Sequence, residues 1–193
     1  MNNETINTEK REAIVQAMLE LITERGFHAT PMSMVAEKAG VAAGTIYHHF
    51  KSKEEIINEI YARLKANMGE ALVREDASEE DYKKRFYRFW LNLYYHFIDH
   101  PKEFLFLEQY ANSPFITKVT KEENQRYYQP VIDFLAEGVW SGILRNMDVE
   151  LLVAMVYGSV ATCVKLHLSK ELDMNQNRVQ QGVQASWDSV KMD

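Results

Sequence analysis

The sequence predicts an all-α protein, and three observations carry that prediction. Apolar residues recur three and four apart along most of the 193 residues, the spacing of one helix face. Capping residues and glycines stand where these periodic runs begin and end. No Pro/Gly-rich linker follows the fourth run, so the helices succeed one another without a flexible hinge. A hydrophobic content of 46% is ample for a core,.

The first helix is expected to open at Asn7 or Thr8, to bury Ile14, Ala17, Met18, Leu21 and Ile22, and to end at Gly26,. The second is expected to start at Thr30 as N-cap with Pro31 in the first helical position. Its small apolar face is Val35, Ala36 and Ala39, and Gly40 ends it in a left-handed conformation while Val41 tucks into the turn. The third turns Ile46 and Phe50, four apart, inward and leaves Ala43, Gly44, Thr45, Tyr47 and His48 outward. Ser52 and Glu55 form a capping box for the fourth, whose buried stripe is Ile56, Ile57, Ile60, Tyr61 and Leu64.

Two short helices around so tight a glycine turn make a helix-turn-helix, whose second helix can enter a DNA major groove while the first crosses the backbone. Thr30, Ser33, Tyr47, His48 and Lys53 are the candidate phosphate contacts, and Ala43 and Thr45 the candidate base-edge contacts. From Gly26-Phe27-His28-Ala29-Thr30 through Ala36-Glu37-Lys38-Ala39-Gly40-Val41 to Gly44-Thr45-Ile46-Tyr47-His48-His49-Phe50-Lys51-Ser52-Lys53, the chain resembles the DNA-binding domain of TetR-family transcriptional regulators. The resemblance implies double-stranded operator DNA, a small-molecule effector and a second copy of the chain as partners, with no cofactor. It also implies a repressor, with residues 1–53 as the DNA-binding domain and 54–193 as a helical-bundle domain for effector binding and dimerisation. Three positions depart from the family pattern. Ala42 stands at a DNA-facing position where Ser is usual, which costs about 1 kcal/mol of capping. Met34 replaces a common acidic residue, and Ala43 a longer polar reader.

Net charge argues against indiscriminate nucleic-acid binding. The whole chain carries −6, yet residues 1–53 hold six Lys/Arg and six Glu and are neutral. Affinity for DNA must therefore come from a local patch and from two copies per operator. No run of about 18 apolar residues is found, and Met1 to Lys10 is polar, so neither a membrane span nor a signal peptide is expected. The single cysteine, Cys163, agrees with a reducing, cytoplasmic location and reads as a small buried hydrophobe,.

Beyond a helix start near Ala77, the segment Ser78 to His100 carries one stripe of Phe86, Phe89, Trp90, Leu93, Tyr94 and Phe97, and a second of Tyr87, Leu91, Tyr95 and Ile98. Pro101 begins a helix with Phe104, Phe106, Leu107 and Tyr110, and one helix from Glu122 to Trp140 adds Tyr127, Tyr128, Val131, Phe134 and Leu135. Aromatic stripes are ordinarily packed core. Their polar tips, together with the family resemblance, point to an effector pocket lined by Trp90, Tyr94, Phe97, Phe104, Leu107, Tyr110, Tyr127 and Phe134. Asp148 to Ser169 and Asn175 to Val190 follow as two helices rich in small residues and valine. In the family these pair with their copies in a four-helix bundle, with Met155, Gly158, Thr162, Val179, Val183 and Trp187 as the expected interface.

A rival constellation is His96 and His100, four apart with Asp99 between and Glu103 beyond, a spacing that can bind zinc in a helical-bundle enzyme or metal carrier. Position favours the plainer reading, in which histidines in the last turn before Pro101 cap carbonyls and meet the helix dipole. No Ser/His/Asp set, phosphate-cradling glycine loop or second ligand pair accompanies them, so no catalytic or metal site is expected.

Overall fold

The chain folds as α1 (Asn3–Arg25), α2 (Met32–Ala39), α3 (Ala43–His49), α4 (Lys53–Leu72), α5 (Tyr82–Asp99), α6 (Pro101–Tyr110), α7 (Lys118–Asn124), α8 (Gln129–Trp140), α9 (Val149–Ser169) and α10 (Gln176–Val190). The computed structural model describes residues 3–76 and 81–192; the helix start expected near Ala77 and Ser78 lies outside them. Two compact units divide the chain: residues 1–64 with 102–124, and residues 65–101 with 125–193.

In the first unit, Ile14, Met18 and Ile22 of α1, Ile46 of α3, Phe50, and Ile56, Ile57 and Ile60 of α4 are almost wholly buried. Each such side chain contributes roughly 1.5–3 kcal/mol of burial free energy, so α3, at seven residues too short to persist alone,, is held against the two long helices by this shared core. Phe104, Phe106, Leu107 and Tyr110 of α6 are buried in the same unit, and the Tyr110 hydroxyl reaches the Ile22 carbonyl at 3.5 Å.

The helix ends show where local propensity decides and where it does not. Glu55 N–H bonds Ser52 Oγ at 3.2 Å, and the Glu55 carboxylate returns to Lys51 N–H at 2.6 Å, a capping box shifted by one residue. Asp148 and Asn175 cap α9 and α10 through the amides of Leu151 and Arg178. The start of α1 differs from expectation: it begins at Asn3, so Asn7 and Thr8 lie inside the helix. With no Gly or Pro before them, their helix penalty of about 0.7 kcal/mol each or less does not stop the helix. Thr30 is not the N-cap of α2 either. Pro31 holds that position without a side-chain bond, because the Thr30 hydroxyl donates to the carbonyls of Gly26 at 2.9 Å and Leu21 at 3.4 Å. The single helix expected over Glu122 to Trp140 is broken into α7, a 3₁₀ turn at Gln125–Tyr127, and α8. Pro130 lacks an amide and disfavours helix at the residue before it.

In the second unit, α5 packs against α9 and α10, and α8 against α9. The stripe Phe86, Phe89, Trp90, Leu93, Tyr94, Phe97 is buried as expected. The second stripe is only half covered, and Tyr95 is 45% exposed. Among the described residues, α9 is long and apolar enough to cross a membrane by length and composition. A count of uninterrupted apolar residues misses this because Gly158, Ser159, Thr162, Lys165 and His167 break the run without making the helix polar on average.

Candidate DNA-binding site

The turn between α2 and α3 is made by Gly40 at φ 65°, whose amide bonds the Glu37 carbonyl at 3.1 Å while Val41 N–H takes that of Ala36 at 3.0 Å. This six-to-one closure ends α2 and sends the chain directly into α3. Ala42, the N-cap of α3, is extended and offers no side-chain bond. Ile46 and Phe50 are anchored in the core, and the Arg11 guanidinium lies 4.7 Å from the Phe50 ring centre. That anchoring fixes which side of α3 faces out. Ser33, Ala42, Ala43, Gly44, Tyr47 and His48 are exposed, Tyr47 at 60%, and Thr45 is half-buried.

Two expected phosphate contacts are corrected. Thr30 is fully buried, its hydroxyl committed to the end of α1. Lys53 is turned inward: its ammonium donates to the Phe27 carbonyl and sits 4.0 Å over the Phe27 ring. Burial pulls its pKa below the ordinary lysine range. Lys53 is thus a strut beneath the helix-turn-helix. Phe27 stacks in turn on Phe115, with ring centres 3.8 Å apart and planes 15° from parallel.

Ion pairs knit the same unit together. Glu20 of α1 holds Lys38 of α2 at 2.9 Å and Lys102 of α6 at 3.4 Å, and its hydrogen bond to Lys38 is the main reason its carboxyl is lowered to about 2. Glu59 of α4 accepts from Arg11 at 2.6 Å and from Arg63 at 2.8 Å. Desolvation lowers the pKa of half-buried His49, with the nearby charges of His48, Arg11 and Lys10 adding to the effect. His48 is the exposed member of the pair.

Comparison with known proteins agrees with this geometry. The family model described as bacterial regulatory proteins, tetR family, matches residues 14–60, and the tetracyclin repressor-like C-terminal domain model matches residues 81–191. The chain belongs to the TetR family. It is a DNA-binding transcriptional regulator; the family and the relatives of this chain are regulators of transcription and not enzymes. The regulator is 31% identical over 153 residues to the Fatty acid metabolism regulator protein of Bacillus subtilis (strain 168), covering 76% of this chain and 77% of that one. A TetR family transcription regulator from Marinobacter aquaeolei VT8 superposes with TM-score 0.90 at 19% identity, over 98% of this chain and all of the other. The fatty acid degradation regulator FadR from Bacillus halodurans superposes with TM-score 0.74 at 21% identity, over 92% and 94% of the two chains.

The residues expected to line an effector pocket are drawn from both units of the regulator. Phe104, Leu107 and Tyr110 belong to the first unit; Trp90, Tyr94, Phe97, Tyr127 and Phe134 belong to the second. Within the second, Phe134 packs on Tyr82 and Phe89, with ring centres 4.1 and 4.9 Å away. Trp90 and Tyr94 stack on each other 5.6 Å apart. Their polar tips are engaged: Trp90 Nε1 donates to Ser159 Oγ at 2.8 Å, and Tyr94 OH meets His167 Nδ1 at 2.9 Å. Burial pushes the Tyr94 hydroxyl up to about 12. Half-buried Tyr127 lies with its backbone against Gly69.

The expected dimer residues also divide. Met155, Gly158 and Thr162 lie on an open stripe of α9 that begins with Leu151, which is 53% exposed. Val179, Val183 and Trp187 point into their own unit, where Trp187 packs edge-on to Phe86 at 5.3 Å. They have no apolar surface left to offer a second copy. His96 and His100 stack 4.8 Å apart, and His100 Nδ1 meets the His96 carbonyl at 2.9 Å, the carbonyl-capping arrangement. Among the described residues no three His, Cys, Asp or Glu side chains gather as a metal-binding group.

Sequence reasoning missed the support beneath the reading head. Asn58 donates to the Phe115 carbonyl at 2.8 Å and accepts from Thr117 N–H at 3.1 Å and Thr120 Oγ1 at 2.7 Å. A pairing across some sixty residues leaves no periodic trace in the sequence.

Proposed function

We propose that the regulator is a cytoplasmic homodimeric repressor that binds a palindromic operator and is released by a small apolar or amphipathic effector. The observation that carries the DNA reading is the face of α3, where Ala42, Ala43, Thr45, Tyr47 and His48, with Ser33 of α2, stand outward while Ile46 and Phe50 lock the helix orientation. Ser33, Tyr47 and His48 bond phosphates, and Ala43 and Thr45 lie against base edges, with Ala42 facing the DNA at the start of α3. Residues 1–53 serve DNA binding, and 54–193 effector binding and dimerisation.

The dimer reading rests on α9, an apolar helix whose Leu151, Met155, Gly158 and Thr162 stripe is open in the single chain. A twofold pair of heads requires half-sites in successive major grooves, about 34–36 Å apart or a multiple of that. Two of the similar proteins are named for fatty acid metabolism or degradation, so a fatty acyl compound is the first effector class to test. It binds among the aromatic side chains of the second unit, around Trp90, Tyr94 and Phe97. Effector and operator must oppose each other by the same factor, typically 1–3 kcal/mol of coupling.

The test is to incubate the wild-type protein with a randomised duplex library, sequence what it retains, and titrate the enriched duplex with acyl compounds. Enrichment of a twofold-related pair of half-sites that the acyl compound releases is the expected result. Retention of no sequence would remove the DNA reading, and an acyl affinity unaltered by saturating duplex would remove that effector class.

A further inference from the structure

The loop that leads into α2 is held from outside the helix-turn-helix. Gly26 at φ 82° turns the chain out of α1, and Phe27 is the one large apolar side chain between it and Pro31. The Phe27 carbonyl accepts from the Lys53 ammonium of α4, and its ring stacks on Phe115 of the segment between α6 and α7. In turn, the Phe115 carbonyl accepts from Asn58 of α4 at 2.8 Å. Two carbonyl ties from one helix and one ring stack thus close a triangle of α4, the α2 entry loop and the α6–α7 segment.

The stack is the side of that triangle that joins the two loops directly. Both rings are half-buried, so neither serves mainly to fill the core. A pair of rings 3.8 Å apart and 15° from parallel fixes tilt as well as distance, which an apolar contact without rings does not,. The entry loop is continuous with α2, and α2 packs on α3, so a shift of the loop is carried to the reading head.

We infer that Phe115 is a positioning residue for DNA binding: its stack on Phe27 holds the entry loop of α2 and limits the half-site spacings that the two heads accept. Phe115 is no part of the outward face of α3 and acts through Phe27. Adding one base pair between half-sites moves the second by about 3.4 Å and turns it by about 34–36° around the duplex. A head locked to α4 cannot follow that movement, whereas a head free to tilt on its support follows part of it. This inference rests on the DNA and dimer readings proposed above and adds a residue that governs which operators fit.

The test compares the enriched duplex with two others in which one base pair is added or removed between the half-sites. Wild type is expected to bind both altered spacings much more weakly than the enriched one. Phe115→Ala should bind the enriched duplex about tenfold more weakly than wild type does, the equivalent of about 1.4 kcal/mol. Its further loss on either altered spacing should be about tenfold smaller than that of wild type. Phe115→Leu, which keeps apolar bulk without a ring, should do the same and serves if the alanine protein does not fold. Phe115→Tyr keeps the ring and should behave as wild type. A role in stability alone lowers the melting temperature and the active fraction but leaves the ratio between spacings unaltered. The inference is overturned if the alanine and leucine proteins keep the wild-type ratios, if the tyrosine protein behaves like the alanine one, or if wild type is indifferent to spacing. Should wild type retain no duplex at all, the DNA reading fails, and should it retain only single half-sites, the dimer reading fails, each taking this inference with it; a wild type that selects one spacing beside variants that select it equally overturns this inference alone.

Discussion

Replacing Asn58 by alanine removes a side chain whose amide is fully used. Its nitrogen donates to the Glu54 carbonyl of its own helix and to the Phe115 carbonyl, each at 2.8 Å, and its oxygen accepts from Thr117 N–H and Thr120 Oγ1. Three of these bonds join α4 to the segment before and into α7. At about 1 kcal/mol each they would total about 3 kcal/mol, but the site is partly open to solvent and water replaces some of what is lost, so about 2 kcal/mol is expected. The Phe27–Phe115 stack remains, so the segment loosens without leaving the unit. The readout is native-state hydrogen exchange at the Thr117 amide, which should speed up about thirtyfold, the equivalent of 2 kcal/mol. Amides in the middle of α1 should change much less. Unchanged protection at Thr117 would show that the clamp does not hold this segment, and the reasoning would be wrong.

Other expectations concern charge, assembly and the core. The Glu20 carboxyl, lowered to about 2 mainly by its hydrogen bond to Lys38, has a folded pKa below its unfolded one. Its contribution is therefore complete above about pH 5 and is lost as the pH falls towards 2. Glu20→Gln should flatten the difference in urea midpoint between pH 6 and pH 3 relative to wild type, and equal slopes for the two proteins would refute the assignment. Met155→Glu places a charge on the open α9 stripe and should give a folded monomer by sedimentation, with operator affinity reduced through lost avidity; a wild type already monomeric at micromolar concentration would contradict it. Val183 is fully buried in its own unit, so Val183→Asp should unfold the protein by several kcal/mol instead of producing a folded monomer, a distinction that circular dichroism decides.

Much of the reading head is legible because its rules are local. Ile46 and Phe50 stand one turn apart, Gly40 follows the last apolar residue of α2, and Ser52 precedes Glu55 by three, so periodicity and capping chemistry place them without knowledge of the rest. Thr30 and Lys53 show the limit. Both residue types suit a phosphate, but their polar atoms are claimed by the carbonyls of Gly26 and Phe27, and sequence reading cannot weigh a partner inside the fold against one outside it. The last two helices make the same point about faces. Periodicity finds the valine and tryptophan stripe of α10 but does not say that α5 of the same chain covers it, whereas the small-residue stripe of α9 is left open. The aromatic set likewise reads as one cluster along the sequence, whereas the fold groups α6 with the first unit and α5 and α8 with the second.

The central claim is that the outward face of α3 touches DNA, and Tyr47 tests it most directly because its ring is 60% exposed and anchors nothing in the core. In a dimer, Tyr47→Ala removes one phosphate hydrogen bond per half-site, about 1 kcal/mol or somewhat more each. Fluorescence anisotropy on the enriched duplex should therefore show binding weakened about thirtyfold or more, with the melting temperature and the dimer unaltered. A Tyr47→Ala protein that binds that duplex as tightly as wild type would contradict the account.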